Sequence, residues 1–292
     1  MSNFSSLKKS SGNLDNLKQK LQSMASTEAK SDKENFWKPE VDKAGNGMAT
    51  LRFLPAPPQD GDDGLPWVKI FSHGFQGPGG WLIDNCLTTK NQQCPVCEHN
   101  NRLWNSGIEA NKEIVRKQKR KLNYVANVYI VNDPKHPENN GTVRLFRFGS
   151  KIFDKITEAM NPQFEDETPI NPFDMWKGAN FKLKITKVAG YQNYDKSEFE
   201  SAAPLSNDDD ELENIWKKEI SLLELVSDKE FKSYDDLKGR LDKVLGTTDV
   251  PKTTVEQMRA APKAKSNDED PPFDVSSGDD DDMAYFSKLA DE

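Results

Sequence analysis

Residues 73–97 read HGFQGPGGWLIDNCLTTKNQQCPVC and contain all three cysteines of the chain, Cys86, Cys94 and Cys97, with His73 upstream. The spacing H-x12-C-x7-C-x2-C is a complete set of four soft or borderline ligands. Zinc is the metal such a set favours, because thiolate and imidazole suit a d10 ion and the Cys94-Pro-Val-Cys97 turn aims two sulfurs at one point. Four protein ligands leave no position for a catalytic water, so the cluster predicts a structural staple. His99, two residues past Cys97, is a rival for the fourth place, whereas His136 in Asp-Pro-Lys-His-Pro reads as a solvated loop residue.

Other cysteine chemistry fits less well. Three cysteines are an odd number and no charged-then-apolar leader opens the chain, so a disulfide framework is not indicated and a reduced, cytosolic setting is expected. A thioredoxin-like pair also uses C-x-x-C, but Asn- and Gly-rich surroundings read as loop and not as a helix start in a βαβ unit. Zinc nucleobase deaminases pair H-x-E with P-C-x-x-C. Here Gly74 and Phe75 follow His73 and Gln93 precedes Cys94, so the proton-shuttling Glu is missing. No phosphate-binding G-x-x-x-x-G-K-[ST], H-E-x-x-H or G-x-S-x-G occurs, and no enzyme is predicted.

The chain has 292 residues, 35% hydrophobic and 30% charged, without an apolar run of transmembrane length. Its net charge of −8 is unevenly spread: residues 266–292 hold ten acidic groups and one Lys, a net of −9, so the rest carries +1. Three regions follow. Residues 1–30 form a basic arm with Lys8 and Lys9, in which Leu14, Leu17, Leu21 and Met24 have helical spacing. Residues 31–250 have the patterning of a packed core, and residues 251–292 are linker and acidic tail. In the tail, Asp279, Asp280, Asp281 and Asp282 precede Met283, Tyr285 and Phe286, a peptide-ligand pattern for basic grooves.

Within the core, β-prone runs span 48–54, 67–71, 81–83, 124–131, 142–148 and 180–188, separated by turns such as Gly77-Pro78-Gly79-Gly80 and Asn139-Asn140-Gly141. Phe181, Leu183 and Ile185 alternate with Lys182, Lys184 and Thr186, as in half-buried antiparallel strands of a small barrel. Helical stripes follow: Leu212, Ile215, Trp216, Ile220, Leu223 and Val226, then Leu237, Leu241, Val244 and Leu245 after the cap Ser233-x-x-Asp236.

The second chemical signal is KEIVRKQKRK, residues 112–121, with six basic residues and one Glu, followed by Tyr124 and Tyr129. Positive charge beside aromatics suits unpaired nucleic acid, since phosphates are neutralised while exposed bases stack on rings. Arg52-Phe53, Arg144, Phe146, Arg147, Phe148, Tyr191 and Tyr194 repeat the combination on strand segments, where half or more of the rings are expected in the core.

Taken in order, His73-Gly74-Phe75, Cys86, Cys94-Pro-Val-Cys97, Tyr124-Val125-Ala126-Asn127, Asp133-Pro134, Arg147-Phe148-Gly149, Gly178-Ala179-Asn180-Phe181 and Asn193-Tyr194-Asp195, between a basic arm and an acidic tail, resemble the single-stranded DNA-binding (helix-destabilising) proteins of T-even-type bacteriophages. Val125 and Ile114 stand where that family carries Trp and Tyr, and the Cys86–Cys94 spacing is shorter.

The resemblance implies a mixed β/α fold, an OB-fold antiparallel barrel with an inserted zinc subdomain (about 66–125) and C-terminal helices, flanked by flexible termini. It implies one structural zinc on His73, Cys86, Cys94 and Cys97, and a DNA cleft formed by Arg52, Trp81, Arg116, Lys117, Lys119, Arg120, Lys121, Tyr124, Phe146, Arg147, Tyr191 and Tyr194. It further implies self-association through Lys8 and Lys9 in a cooperative filament. The tail, including Asp279–Asp282 and Phe286, would recruit replication, recombination and repair proteins and cover the cleft when DNA is absent. The setting would be the cytoplasm of an infected bacterium. The alternative reading is a zinc-stabilised OB-fold RNA-binding protein or translational repressor, because stacking and phosphate contacts do not distinguish sugars unless a 2′-OH is read.

Overall fold

The computed structural model describes residues 35–61, 64–164 and 166–247, so the arm with Lys8 and Lys9 and the tail with Asp279–Asp282 and Phe286 lie outside the described residues. The chain divides into two units. In the first, residues 1–37, the described part holds the short strand β1 (Phe36–Trp37). All further elements belong to the second, residues 38–292.

That unit is mixed β/α. Its strands are β2 (Gly47–Phe53), β3 (Val68–Gly77), β4 (Gly80–Asn85), β5 (Lys121–Asn132), β6 (Val143–Phe148), β7 (Phe181–Val188), β8 (Tyr191–Asn193) and β9 (Glu198–Phe199). Its α-helices are α1 (Pro95–Trp104), α2 (Glu109–Gln118), α3 (Ser150–Met160), α4 (Asp209–Trp216) and α5 (Tyr234–Leu245). The sheet runs β6–β5–β2–β7–β8, with β3 also paired to β5, β4 to β3 and β9 to β7, every pair antiparallel.

β5 is the organising strand. Asn123 to Val128 are all buried, and β2, β3 and β6 each pair with part of its twelve residues. In β7 the expected alternation holds: Phe181, Leu183 and Ile185 are buried, while their neighbours Lys182 and Lys184 reach Glu200 and Glu198. Phe53 lies edge-on to Phe148 and Phe173, at 5.6 and 5.8 Å between centroids, at the centre of an aromatic core that Phe181 and Phe199 extend. Such edge contacts match the positive rim of one ring to the negative face of another.

The helices depart further from expectation. The stripe from Leu212 to Val226 is not one helix: α4 ends at Trp216 and two separate 3-10 turns follow. The reason is Asn127, buried in β5. Its side-chain amide donates to the Ile220 carbonyl at 2.8 Å and accepts from the Ile220 N–H at 3.0 Å, pairing Ile220 as a strand would. The second stripe does form a helix. Ser233 caps α5 by accepting from the Asp236 N–H, and Gly246 ends it in the left-handed region at φ 71°.

Residues 95–104 are helical, a correction to the loop reading around C-x-x-C. Cys94 takes the capping position and Pro95, lacking an N–H, the first turn, where none is needed. The preceding strands form an antiparallel hairpin, so this is no βαβ redox motif.

Candidate metal centre and nucleic-acid interface

The hairpin β3–β4 carries His73 inward, 1% exposed, directly opposite Asp84 in the register. After β4 the chain places Cys86 ahead of a 3-10 turn, and α1 presents Cys94 at its cap and Cys97 one turn on. The His73 nitrogen and the three sulfurs all lie within 4.8 Å of one another. His73 Nε2 is 3.5 Å from Cys94 Sγ and 3.6 Å from Cys97 Sγ, and Cys86 Sγ is 3.5 Å from Cys97 Sγ. Zinc bonds of about 2.0–2.3 Å at tetrahedral angles require edges of roughly 3.5–3.8 Å. The donor set therefore fits a tetrahedral metal site with His73 as fourth ligand. His99 stands outside the cluster.

The protons of the cluster are coupled. Burial works against an imidazolium at His73, yet hydrogen bonds with Cys86 and Cys94 outweigh it and hold the ring up at about 9. Hydrogen bonds from Cys86 and Cys97, with His73 beside them, push Cys94 down, while Cys97, next to Cys86 and Cys94, is pushed up. The atoms that compete for protons here are those a cation would take instead.

The cluster is surrounded by a small core of its own. Phe75, Leu82, Leu87 and Val96 pack around Cys86 and Cys94, and so do Leu237, Leu241 and Val244 of α5. This apolar group reaches well beyond residues 66–125. The close approach needs glycine at the hairpin turn: a Cβ on Gly77 or Gly79 would overlap the Val244 or Lys243 carbonyl, and the Gly79 N–H donates to Val244 at 2.8 Å.

Beside the cluster lies the basic run. Arg116 and Lys117 occupy the last turn of α2, Lys119 and Arg120 form the bend, and Lys121 opens β5. Arg116 is drawn to Glu109 and Glu113 within its own helix. The Phe71 ring on β3 carries Arg120 at 4.6 Å and Lys69 at 4.9 Å from its centroid. Phe71 pairs with Leu122 and Lys69 with Tyr124 across β3 and β5, so cations and rings share one strip. Lys69 and Phe71 were not among the residues expected from the sequence; the signal for their shared face was the alternation Lys69-Ile70-Phe71 on a strand that leads to His73.

Other expected cleft residues sort differently. Arg52 is fully buried and donates to Asn180 Oδ1 at 3.0 Å, the Asp174 carbonyl at 3.2 Å and the Ala203 carbonyl at 2.7 Å. It is an internal strut in the folded chain, its guanidinium turned to oxygens of the protein itself. Tyr124 stacks on Phe153 of α3 with centroids 3.9 Å apart, Phe146 stacks on Phe148 at 5.4 Å, and both are buried. Arg147 pairs with Val125 on the central strands, and its burial pushes the guanidinium's pKa down. Trp81 is half-buried on β4, opposite Gln76. Tyr191 is 57% exposed at the β7–β8 hairpin and Tyr194 is half-buried, its hydroxyl on Gln192. The strand order thus joins Tyr124, Phe146 and Arg147 but sets β2 and β7 between them and Tyr191.

A family model described as gp32 DNA binding protein like matches residues 45–245, spanning the β-core, the metal cluster and α5. The chain belongs to this family. Across 224 residues it is 39% identical to the single-stranded DNA-binding proteins of Enterobacteria phages T2 and T4, over 74% of this chain and 72% of each relative. A shorter match, 39% over 80 residues, is to a single-stranded DNA-binding protein of Escherichia phage SV14. Membership in this DNA-binding family agrees with the strip of cations and rings beside the cluster. Among the described residues no helix is long and apolar enough to cross a membrane.

Proposed function

We propose that this chain is a non-enzymatic protein that coats single-stranded DNA during phage replication, recombination and repair, in the cytoplasm of the infected host. The observation that carries the reading is the strip in which Arg120 and Lys69 flank Phe71 beside the basic run. Cations neutralise phosphates with release of counterions, and an aromatic face takes an unstacked base at roughly 1–3 kcal/mol each. A duplex hides its base faces, so this chemistry favours unpaired strands. Trp81 takes the stacking role beside the cluster and Tyr191 on the distant β7–β8 hairpin, with Lys69, Lys117, Lys119, Arg120 and Lys121 on phosphates, while Phe71, packed against the cluster's core, seats Lys69 and Arg120. Tyr124 and Phe146 back the strip from within.

The antiparallel β-core is read as an OB-type barrel, and the cluster of His73, Cys86, Cys94 and Cys97 as a zinc site whose metal would tie hairpin β3–β4 to α1. Lys8 and Lys9 would serve self-association along DNA, and the acidic tail would engage partner proteins and compete for the basic run. Titrating the protein with oligo(dT), the matching RNA and duplex DNA while following aromatic fluorescence tests the reading. Quenching with oligo(dT) at a much lower concentration than with duplex is expected; equal affinity for duplex would overturn it, and tighter RNA binding would favour the RNA-directed alternative.

A further inference from the structure

We infer that Thr88 and Asn100 are positioning residues that tie the basic run to the metal cluster. The inference rests on the reading of Arg120 as a phosphate contact.

Two chains of hydrogen bonds make the connection. In the first, Arg120 Nη1 donates to Thr88 Oγ1 at 3.1 Å, and Thr88 Oγ1 lies 3.1 Å from Cys86 Sγ. A guanidinium only donates, so the hydroxyl accepts from Arg120 and turns its one proton toward the sulfur. The direction Arg120 to Thr88 to Cys86 is therefore set by chemistry. It also places a cation one hydroxyl away from a cluster in which three thiolates around a divalent ion would leave net negative charge, a common means of steadying metal ligands.

In the second chain, His73 Nε2 faces Cys94 and Cys97, leaving Nδ1 3.4 Å from the Gln118 carbonyl. Asn100, 3% exposed in α1, donates to that same carbonyl at 3.0 Å. Gln118 is the last residue of α2, where a carbonyl has no partner within its helix. The bend at Lys119, which turns α2 into β5, is thus held by a metal ligand and by Asn100, and Arg120 just after it by Thr88. Neither Thr88 nor Asn100 carries charge or a ring, so neither stands out as a nucleic-acid contact. Their part is to hold the basic segment in one place between helix and strand.

The test uses the full chain with its metal. Oligo(dT) affinity is measured across a salt series for the unsubstituted protein, Thr88→Val, Thr88→Ser, Asn100→Leu and Arg120→Gln, with metal content determined for each. Thr88→Val and Asn100→Leu are expected to lose about tenfold in metal affinity, the scale of other supports of metal ligands, and to bind oligo(dT) less tightly than the unsubstituted protein. Thr88→Val should also flatten the dependence of log K on log salt by part of one phosphate's share, about 0.7 for a single strand. Thr88→Ser, which keeps the hydroxyl, should restore both. Arg120→Gln should lose the full share. An unchanged slope in Thr88→Val beside a reduced one in Arg120→Gln overturns the positioning role and leaves the phosphate contact standing; an unchanged slope in Arg120→Gln overturns the contact itself. A second measurement needs no change at Thr88: in protein loaded with cadmium-113, Arg120→Gln should move the metal resonance through Cys86. An unmoved resonance would show that the relay does not exist.

Discussion

Arg52 shows what an isolated residue can conceal. In sequence it is one cation beside Phe53 on a β-prone run, indistinguishable from a nucleic-acid contact. In the fold each of its three nitrogens donates to an acceptor from Asp174, Asn180 or Ala203, more than 120 residues away, which no local pattern reveals. Arg52→Met removes all three bonds and puts an uncharged side chain where a buried cation tied distant segments together. It should cost about 3 kcal/mol in urea unfolding while the folded fraction binds oligo(dT) normally.

Glu219 is the opposite case, buried at 2% exposure with neither carboxylate oxygen partnered. Burial, with the Asp60 charge adding to it, raises its carboxyl to about 9. The folded chain then holds a proton that the unfolded chain releases above pH 4.5, the ordinary value, so stability from this group falls as pH rises from about 4.5 to 9. Glu219→Gln should stabilise the protein by about 2 kcal/mol at pH 8 and hardly at all at pH 4, measured by urea unfolding at both. The cluster of His73, Cys86, Cys94 and Cys97 was legible residue by residue because its chemistry is local: soft donors at close spacing suit a metal site.

Among elements, the strands were legible and several helices were not. β-prone runs marked β2, β5, β6 and β7, and alternation β7 above all, with bounds that differ from the sequence reading by a few residues. α1 escaped because its inward positions are Pro95, Val96 and Asn100 with two cysteines, not an apolar stripe. α3 had its signal in Ile152 and Ile156, buried one turn apart, overlooked beside the aromatic run before it. The placement of α5 could not be read at all, since it joins the cluster of residues 73–97 from the far end of the chain. Lys232 and Arg240 both reach Asp84, and a carboxylate only 8% exposed as a side chain leaves little room for another arrangement. Gly79→Ala should therefore push α5 off the hairpin and lower the thermal midpoint by several degrees. Leu241→Ala should cost about 2–5 kcal/mol, and the two changes together should be less than additive because they break one contact.

For the whole molecule, charge is separated along the chain: a tail of net −9 follows a remainder of +1, and α5, the last described helix, is packed on the metal cluster next to the basic run. Deleting residues 266–292 should raise oligo(dT) affinity, most at low salt, where attraction between tail and basic run is least screened. If affinity is unchanged at every salt concentration, the tail does not compete for the strip. The mixed β/α class and the membership in a DNA-binding family were legible because composition and the order of short motifs survive averaging over the chain. Which rings are walls and which are surface was not, because both β5 and β6 are covered on two sides.

In the proposed reading, a metal on His73, Cys86, Cys94 and Cys97 holds the surface that takes the single strand. This is tested by removing the metal stepwise with a chelator while recording zinc content, oligo(dT) affinity and protease cleavage in the same samples. One zinc per chain is expected, with affinity falling in proportion to zinc lost, and cleavage appearing first in residues 73–97 and around α5 while the β-core stays intact. Full oligo(dT) binding by metal-free protein would contradict it.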